Sequence, residues 1–321
     1  MKKRKPIKKP QKPEIKGFGT ITAQELQRKD FPELQFIVEG MLVEGATLLA
    51  GKAKIGKSWL AMQIAMAVAT GGKALDSIPC EQGTVLYAAL EDNPRRLQRR
   101  LRQLYGDSNE WPSNFYLMTL MPELDEDGID KLDEWIDHYK PRLVIIDTLA
   151  KVRPRSLRLK EGYSSDYQTL EPLQELAGEY GIGILIITHQ RKQDAEDPFD
   201  TISGSTGLTG AVDTALVLSR GSNGTTLYGR GREIDEFEKA LKTKNGMWVL
   251  LGDADEVHRS DERKAIIELL MKSSPLSPKE IASALGQPEN NTRQLLLKMC
   301  ATGEVEKVAR GRYAVLKKPV G

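Results

Sequence analysis

Short, wholly apolar runs alternate with longer segments of helical character over the first two-thirds of the chain. Ala46 to Ala50 suits a buried strand; Trp59 to Thr70, rich in Ala, Met and Leu and ended by "GG" at Gly71, suits a helix. Gly83 to Ala89 reads as the next strand, running out at Glu91. "NPRRLQRRLRQLYG" follows as a helix capped near Asn93, with Pro94 at its first position and Gly106 at its close. Then "FYLMTLM" predicts a strand, "DGIDKLDEWIDHYK" a helix, "PRLVIIDTL" a strand, "SSDYQTLEPLQELAGEYG" a helix despite Pro172, and "IGILIITHQ" another buried strand. This alternation predicts an α/β fold around a mostly parallel, doubly wound sheet. "DTALVLSR" and "TTLYGRG", separated by the turn "GSNG", extend that sheet antiparallel at its edge.

The pattern changes at "GDADEVHRSDERK", which is charged and lacks an apolar period. A linker over 253–262 is expected there. Beyond it, "SDERKAIIELLMKS", "SPKEIASALG" and "PENNTRQLLLKMCATG" read as three short helices, and "EVEKVARGRYAVL" alternates as a hairpin around Arg310 and Gly311. Three helices and a wing over 263–317 make a small C-terminal winged helix-turn-helix domain. The expected organisation is a basic arm over 1–30, an α/β domain over 31–252, the linker and the winged helix.

Composition narrows the class. The 321 residues are 40% hydrophobic and 29% charged, as in a soluble globular protein. No window approaches 18 apolar residues and the lysine-rich amino terminus has no apolar core, so neither a membrane span nor a secretory signal is read, and a cytoplasmic location is expected. Cys80 and Cys300 are isolated, which fits a reducing compartment and excludes a Cys-based zinc site. His138 and His258 have no sequence partners and are assigned nothing. Net charge is only +2, but "MKKRKPIKKPQKPEIK" carries eight basic residues, one acid and three prolines. It reads as a disordered arm, either attracting a phosphate backbone or serving as a solubilising tail.

"GKAKIGKS", Gly51 to Ser58, has the spacing of a phosphate-binding loop between a strand and a helix. A solvated Gly-rich turn with lysines is the alternative. In the functional reading Gly51 and Gly56 let the backbone turn its N–H groups around phosphates, and the helix N-terminus adds positive potential. Lys57 reaches the β- and γ-phosphates of ATP, and the Ser58 hydroxyl ligates Mg²⁺. Gly51, Lys52, Ala53, Lys54, Ile55, Gly56, Lys57, Ser58 and the following Trp59 are the candidate nucleotide-binding residues.

Hydrolysis needs more than a phosphate loop. Asp147, at the end of "LVIID", is the candidate magnesium carboxylate at the carboxyl edge of the sheet; a turn cap is its structural alternative. Glu91 also ends a strand and suits a base for the attacking water, or simply begins a solvated loop. His189, after "LIIT", stands at the same edge as a γ-phosphate sensor or as an ordinary loop residue.

"GKAKIGKS", "VLYAALED", "LVIIDTLA", "LIITHQ" and "GSTGLTGAVDTAL", in this order, resemble the RecA-like P-loop ATPases, and within them the RepA-type branch of the hexameric helicases related to DnaB. The likeness spans roughly residues 35 to 250, about two-thirds of the chain. It implies a RecA-like core, Glu91 as catalytic glutamate, His189 as γ-phosphate sensor, ATP with Mg²⁺, and a homo-oligomeric ring, a hexamer in that branch, with nucleotide between subunits. An arginine finger is then required, and "YGRGRE" supplies Arg230 and Arg232 without separating them. Surface charge is the alternative for both.

By the same resemblance two loops grip single-stranded DNA in a central channel, over 151–167 and 191–207. The first holds Lys151, Arg153, Arg155, Arg158 and Lys160 with Tyr163 and Tyr167 nearby; the second holds Arg191 and Lys192 but also the acidic stretch Asp194 to Asp200. In the winged helix, Asn290, Asn291, Thr292 and Arg293 stand near the start of the recognition helix and Arg310 and Arg312 on the wing, facing duplex DNA or a docked protein. The expected function is a DNA-dependent ATPase of plasmid or phage replication type, a helicase or remodelling motor; the alternatives are an ATP-switched DNA-binding regulator or loader and, more remotely, a small-molecule kinase.

Overall fold

The computed structural model describes residues 20–31, 33–107, 110–158, 163–190, 195–202, 206–221 and 224–316. Met1–Leu34 and Gln35–Gly321 are two separate units. The first contains one short described helix, Ala23–Gln27, started by a capping box in which Thr22 and Glu25 bond each other's backbone. The expected disorder therefore does not extend over 23–27, and residues 1–19 of the arm lie outside the described residues.

Among the described residues of the second unit nine strands form one sheet: β1 (Gly45–Gly51), β2 (Val85–Ala89), β3 (Phe115–Met118), β4 (Leu143–Asp147), β5 (Gly183–Ile187), β6 (Thr214–Gly221), β7 (Gly224–Gly231), β8 (Phe237–Lys244) and β9 (Met247–Asp253). Their spatial order is β9-β8-β7-β6-β1-β5-β4-β2-β3. All pairs from β6 to β3 are parallel. The antiparallel extension differs from expectation: "DTALVLSR" joins the parallel part beside β1, and the reversal begins at β7 and continues through β8 and β9. "FEKALKTK" conceals β8 because its outward side chains are charged, as befits strands with one solvated face.

Helices α1 (Lys57–Thr70), α2 (Pro94–Tyr105), α3 (Glu126–Tyr139) and α4 (Tyr163–Tyr180) cover the two faces. Successive residues of a strand point to opposite sides, so Leu49 packs with Leu60, Ile64, Leu97 and Leu101 of α1 and α2. Its neighbour Leu48 packs with Leu132, Ile136, Leu170 and Leu173 of α3 and α4. Burial on both faces explains the near-continuous apolar runs of β4 and β5.

The expected linker is not a loop. Helix α5 (Ala254–Ser273) starts directly after β9 and packs against β8 and β9. Its first turns are charged yet helical because Ala, Glu, Arg and Lys are good helix formers needing no apolar face. Then α6 (Pro278–Leu285), α7 (Glu289–Ala301) and the hairpin β10 (Val305–Ala309) and β11 (Arg312–Val315) complete the chain as the pattern predicts. They share a small core of Ile266, Leu270, Ile281, Leu296, Met299 and Tyr313. No helix among the described residues is long and apolar enough to cross a membrane.

Candidate functional site

Strand register brings the candidate residues together. Leu49, Ile187, Asp147 and Ala89 lie side by side across β1, β5, β4 and β2. The chain therefore leaves all four strands at one carboxyl edge, which gathers the loop from Gly51, His189, Asp147 itself and Glu91. This is where open α/β sheets bind ligands.

The loop is built to close tightly. A Cβ at Gly51 would stand 2.8 Å from the Leu218 carbonyl oxygen, and Gly56 has φ +112°, a conformation that excludes most side chains. Lys57 is buried, and its Nζ donates to the carbonyls of Gly51 at 2.6 Å and Lys52 at 3.2 Å. His189 Nδ1 lies 3.5 Å from the same ammonium. Burial lowers the Lys57 pKa, and the nearby carboxylates of Asp147 and Glu91 oppose that shift. One cation thus faces two acids and an imidazole. Lys52, Ala53 and Lys54 are exposed on the loop, while Ile55 anchors it in the core.

Asp147 is buried, and desolvation raises its pKa against hydrogen bonds from Ser58 and Tyr87. Tyr87, fully buried on β2, donates from its hydroxyl to Asp147 Oδ2 at 2.8 Å and lies 3.3 Å from the Ser58 carbonyl. Ser58 beside Asp147 offers two adjacent oxygen ligands of the kind a hard divalent cation takes, leaving its other positions to water and phosphate. Glu91 is exposed just beyond, its carbonyl accepting from the Arg96 guanidinium at 2.6 Å.

Sequence reasoning missed three supports. Besides Tyr87, Trp248 of β9 is almost wholly buried, and its indole N–H donates to the Gly56 carbonyl at 3.1 Å. A Cβ at Gly56 would come within 2.9 Å of the same ring. Gln63 of α1 exchanges two hydrogen bonds with the Trp248 backbone, at 2.8 and 2.9 Å. No motif marks this contact because it spans nearly two hundred residues of sequence; the one local sign is a tryptophan after the "NG" turn.

Other candidates stand elsewhere. The Trp59 ring packs beneath the Arg100 guanidinium, 5.4 Å from it, within the α1–α2 core. Arg230 pairs across the sheet with Ala215, level with Leu48 rather than with the loop. It bonds Asp197 at 2.9 Å and Glu236 at 2.7 Å and covers the Phe199 ring. Arg232 lies farther toward the amino edge, on Asp213 and the Gly210 carbonyl. Neither arginine lies at the phosphate loop of this chain.

The expected channel loops are partly folded. Residues 149–152 and 155–158 are short helices, Arg153 bonds Asp166 at 2.8 Å, and Arg155 bonds Glu123 at 3.1 Å. In the second loop Asp197 caps the turn Pro198–Thr201 and binds Arg230, which accounts for part of the acidic stretch. Lys160, Arg191 and Lys192, with the side chains of Arg158 and Tyr163, lie outside the described residues. On α7, Asn290, Asn291 and Arg293 are exposed, but Thr292 is fully buried with its hydroxyl on the Pro288 carbonyl, so it is not a surface contact as expected. On the hairpin Arg310 is exposed, whereas Arg312 is held by Glu280 and the Pro275 carbonyl.

Glycine-cradled loop, buried lysine, and a serine–aspartate pair at the carboxyl edge of a mostly parallel sheet are the geometry of a phosphate-binding loop. The chain belongs to the AAA domain family, whose model matches residues 12–195, more than half of the sequence. That match contains Lys57, Ser58, Glu91, Asp147 and His189 and ends before Arg230. The chain is 26% identical over 194 residues to the DNA repair protein RadA of Aquifex aeolicus (strain VF5), spanning 60% of this chain but only 38% of that relative. It is also similar to the crystal structure of a KaiC-like protein of Pyrococcus horikoshii OT3, at 16% identity and a TM-score of 0.45, over 67% of this chain and 93% of the other.

Proposed function

We propose that this chain is a DNA-dependent ATPase of plasmid or phage replication type, a RepA-like helicase working in the cytoplasm and hydrolysing ATP at the interfaces of a homo-oligomeric ring. The observation that carries the reading is the convergence of Lys57, Ser58, Glu91, Asp147 and His189 at one sheet edge. The loop amides from Gly51 to Ser58 would hold the ATP phosphates, and Lys57, freed from its two carbonyl partners, would reach the γ-phosphate. Ser58 and Asp147 fit Mg²⁺, which when bound supplies charge neutralisation at the phosphoryl oxygens.

Glu91, solvent-accessible and at the mouth of the site, takes a proton from the attacking water. His189 lies against Lys57 and passes the state of the phosphate to the loop that follows β5. Arg230 serves the neighbouring subunit's nucleotide: its distance from its own loop suits action in trans, and its acidic partners hold it extended at the surface. The RadA likeness supports DNA as the polymer, and the C-terminal helices with their hairpin are read as a winged helix presenting Asn290, Asn291 and Arg293 to duplex DNA.

A second reading has its own support. Arg153 and Arg155 are neutralised by acids in a folded first loop, which favours an ATP-switched DNA-binding regulator or loader over a motor. Strand displacement on a forked substrate separates the two: unwinding that needs ATP supports the helicase, and ATP-dependent binding without unwinding supports the loader.

A further inference from the structure

We infer that the outer face of α2 is a binding track for the phosphates of single-stranded DNA, formed by Arg95, Arg99 and Arg102. The inference rests on the DNA-dependent reading above and adds a contact surface outside the expected channel loops.

Leu97, Leu101 and Leu104 bury one side of α2. At 100° per residue, Arg95, Arg99 and Arg102 fall on the opposite pole, and all three are exposed. They line one open groove with Asn93, Arg96 and Gln98. Arg96 and Arg100 are engaged with Asp92, and Arg102, at the far end of the row, carries a solvent-exposed ion pair with Asp107 at 2.9 Å that a phosphate can displace. Arg95 and Arg99 have no acidic partner among the described residues.

Local rules oppose this arrangement. Arg95 sits in the first helical turn, where the helix dipole disfavours a cation and where no acid is present to offset it. Arg95 and Arg99 are also a like-charged i,i+4 pair. The uncompensated pair Arg95 and Arg99, held together against local preference, fits an anionic ligand supplied from outside. Guanidinium groups match phosphate oxygens bidentately. Arg95 and Arg99 are about 6 Å apart along the helix axis, and Arg102 about 4.5 Å farther, so the row follows a single backbone. No aromatic side chain lies in the row, so bases are not read there.

The contrast with the first expected loop favours this surface, since Arg153 and Arg155 spend their charge within the fold. The row also adjoins the ATP site. Arg96, one position from Arg95, holds both the Asp92 carboxylate and the Glu91 carbonyl, so a strand on α2 presses on the helix that anchors the Glu91 loop.

The test measures binding of a fluorophore-labelled oligothymidylate, and of a labelled duplex of the same length, to the full chain by anisotropy between 50 and 200 mM salt. Wild type is compared with Arg95→Gln/Arg99→Gln and Arg95→Lys/Arg99→Lys, with thermal melts and light scattering on each. The glutamine pair should bind tenfold or more weakly at low salt, with a salt slope shallower by about 1.4 for two lost phosphate contacts on a single strand. The lysine pair should keep the slope and lose less affinity than the glutamine pair, the remaining loss being that of bidentate contact; with unchanged melts this excludes a fold defect as the cause. Unchanged affinity and slope in the glutamine pair, with wild type binding well, overturn the track and leave DNA dependence standing. Loss that tracks disassembly in light scattering assigns the row to a subunit contact, and loss confined to duplex oligonucleotides removes the single-strand assignment. Failure of wild type to bind any DNA overturns both readings.

Discussion

Replacing Trp248 with phenylalanine tests whether the antiparallel edge of the sheet holds the phosphate loop. The ring is 1% exposed, its N–H donates to the Gly56 carbonyl, and its backbone is clamped by Gln63. Phenylalanine keeps an aromatic ring and removes the donor, but Gly56 still accepts from Leu60 at 3.0 Å, so its carbonyl is not orphaned. The lost hydrogen bond is then worth about 1 kcal/mol, and the smaller ring about 1–2 kcal/mol in packing. A urea melt should show a loss of about 2–3 kcal/mol. The informative readout is nucleotide affinity from titration with a fluorescent ADP analogue. If about 1 kcal/mol of the loss falls on the loop's bound geometry, the dissociation constant rises about fivefold. Trp248→Ala should cost about 3–5 kcal/mol in stability and weaken binding further. Destabilisation of Trp248→Phe with unchanged nucleotide affinity would refute the reasoning and make Trp248 a core residue only.

The same geometry gives four more predictions. Burial raises the Asp147 pKa, so the unfolded chain releases this proton first as pH rises, and the ionised group opposes folding above the usual carboxylate range. Asp147→Asn should therefore melt higher than wild type at neutral pH, lose that advantage below about pH 4 where both states are protonated, and hydrolyse no ATP. Tyr87→Phe removes a donor to that carboxylate and should cost about 1–3 kcal/mol, read by denaturant melts, while raising the metal concentration needed for half-maximal activity. Arg230→Ala should lower turnover about a thousandfold with nucleotide binding retained, and mixing it with Glu91→Gln subunits should restore part of the activity. Arg232→Ala should change stability by less than about 1 kcal/mol in melts, because the Arg232 side chain is largely exposed and Asp213 keeps its hydrogen bonds from Ala46 N–H and Gln174.

Local sequence carried the parallel part of the fold. The apolar runs of β1, β2, β4 and β5 are bounded by breakers and caps, and once those strands align, the positions of Gly51, Glu91, Asp147 and His189 are set by the chain alone. Tertiary pairing hid the rest. Strand β8 is half charged, so its pattern resembles a surface segment until β7 and β9 pair with it. The role of Trp248 depends on a contact 192 residues away. The charged start of α5 lacks an apolar stripe because only Ala254, Ile266 and Leu270 are buried. Thr292 is core rather than surface because a one-residue rotation on α7 separates the two. Arg153 and Arg155 show the same limit: basic composition was legible, but not the acids that the fold brings to them.

Whether DNA drives the nucleotide site is read from steady-state ATP hydrolysis with and without single-stranded DNA, at low and moderate salt, beside Lys57→Ala and Glu91→Gln. Turnover should rise severalfold with DNA, a stimulation that fades as salt rises, and should drop about 10²-fold or more in both variants. ATP binding with negligible turnover that DNA leaves unchanged would contradict a DNA-dependent ATPase.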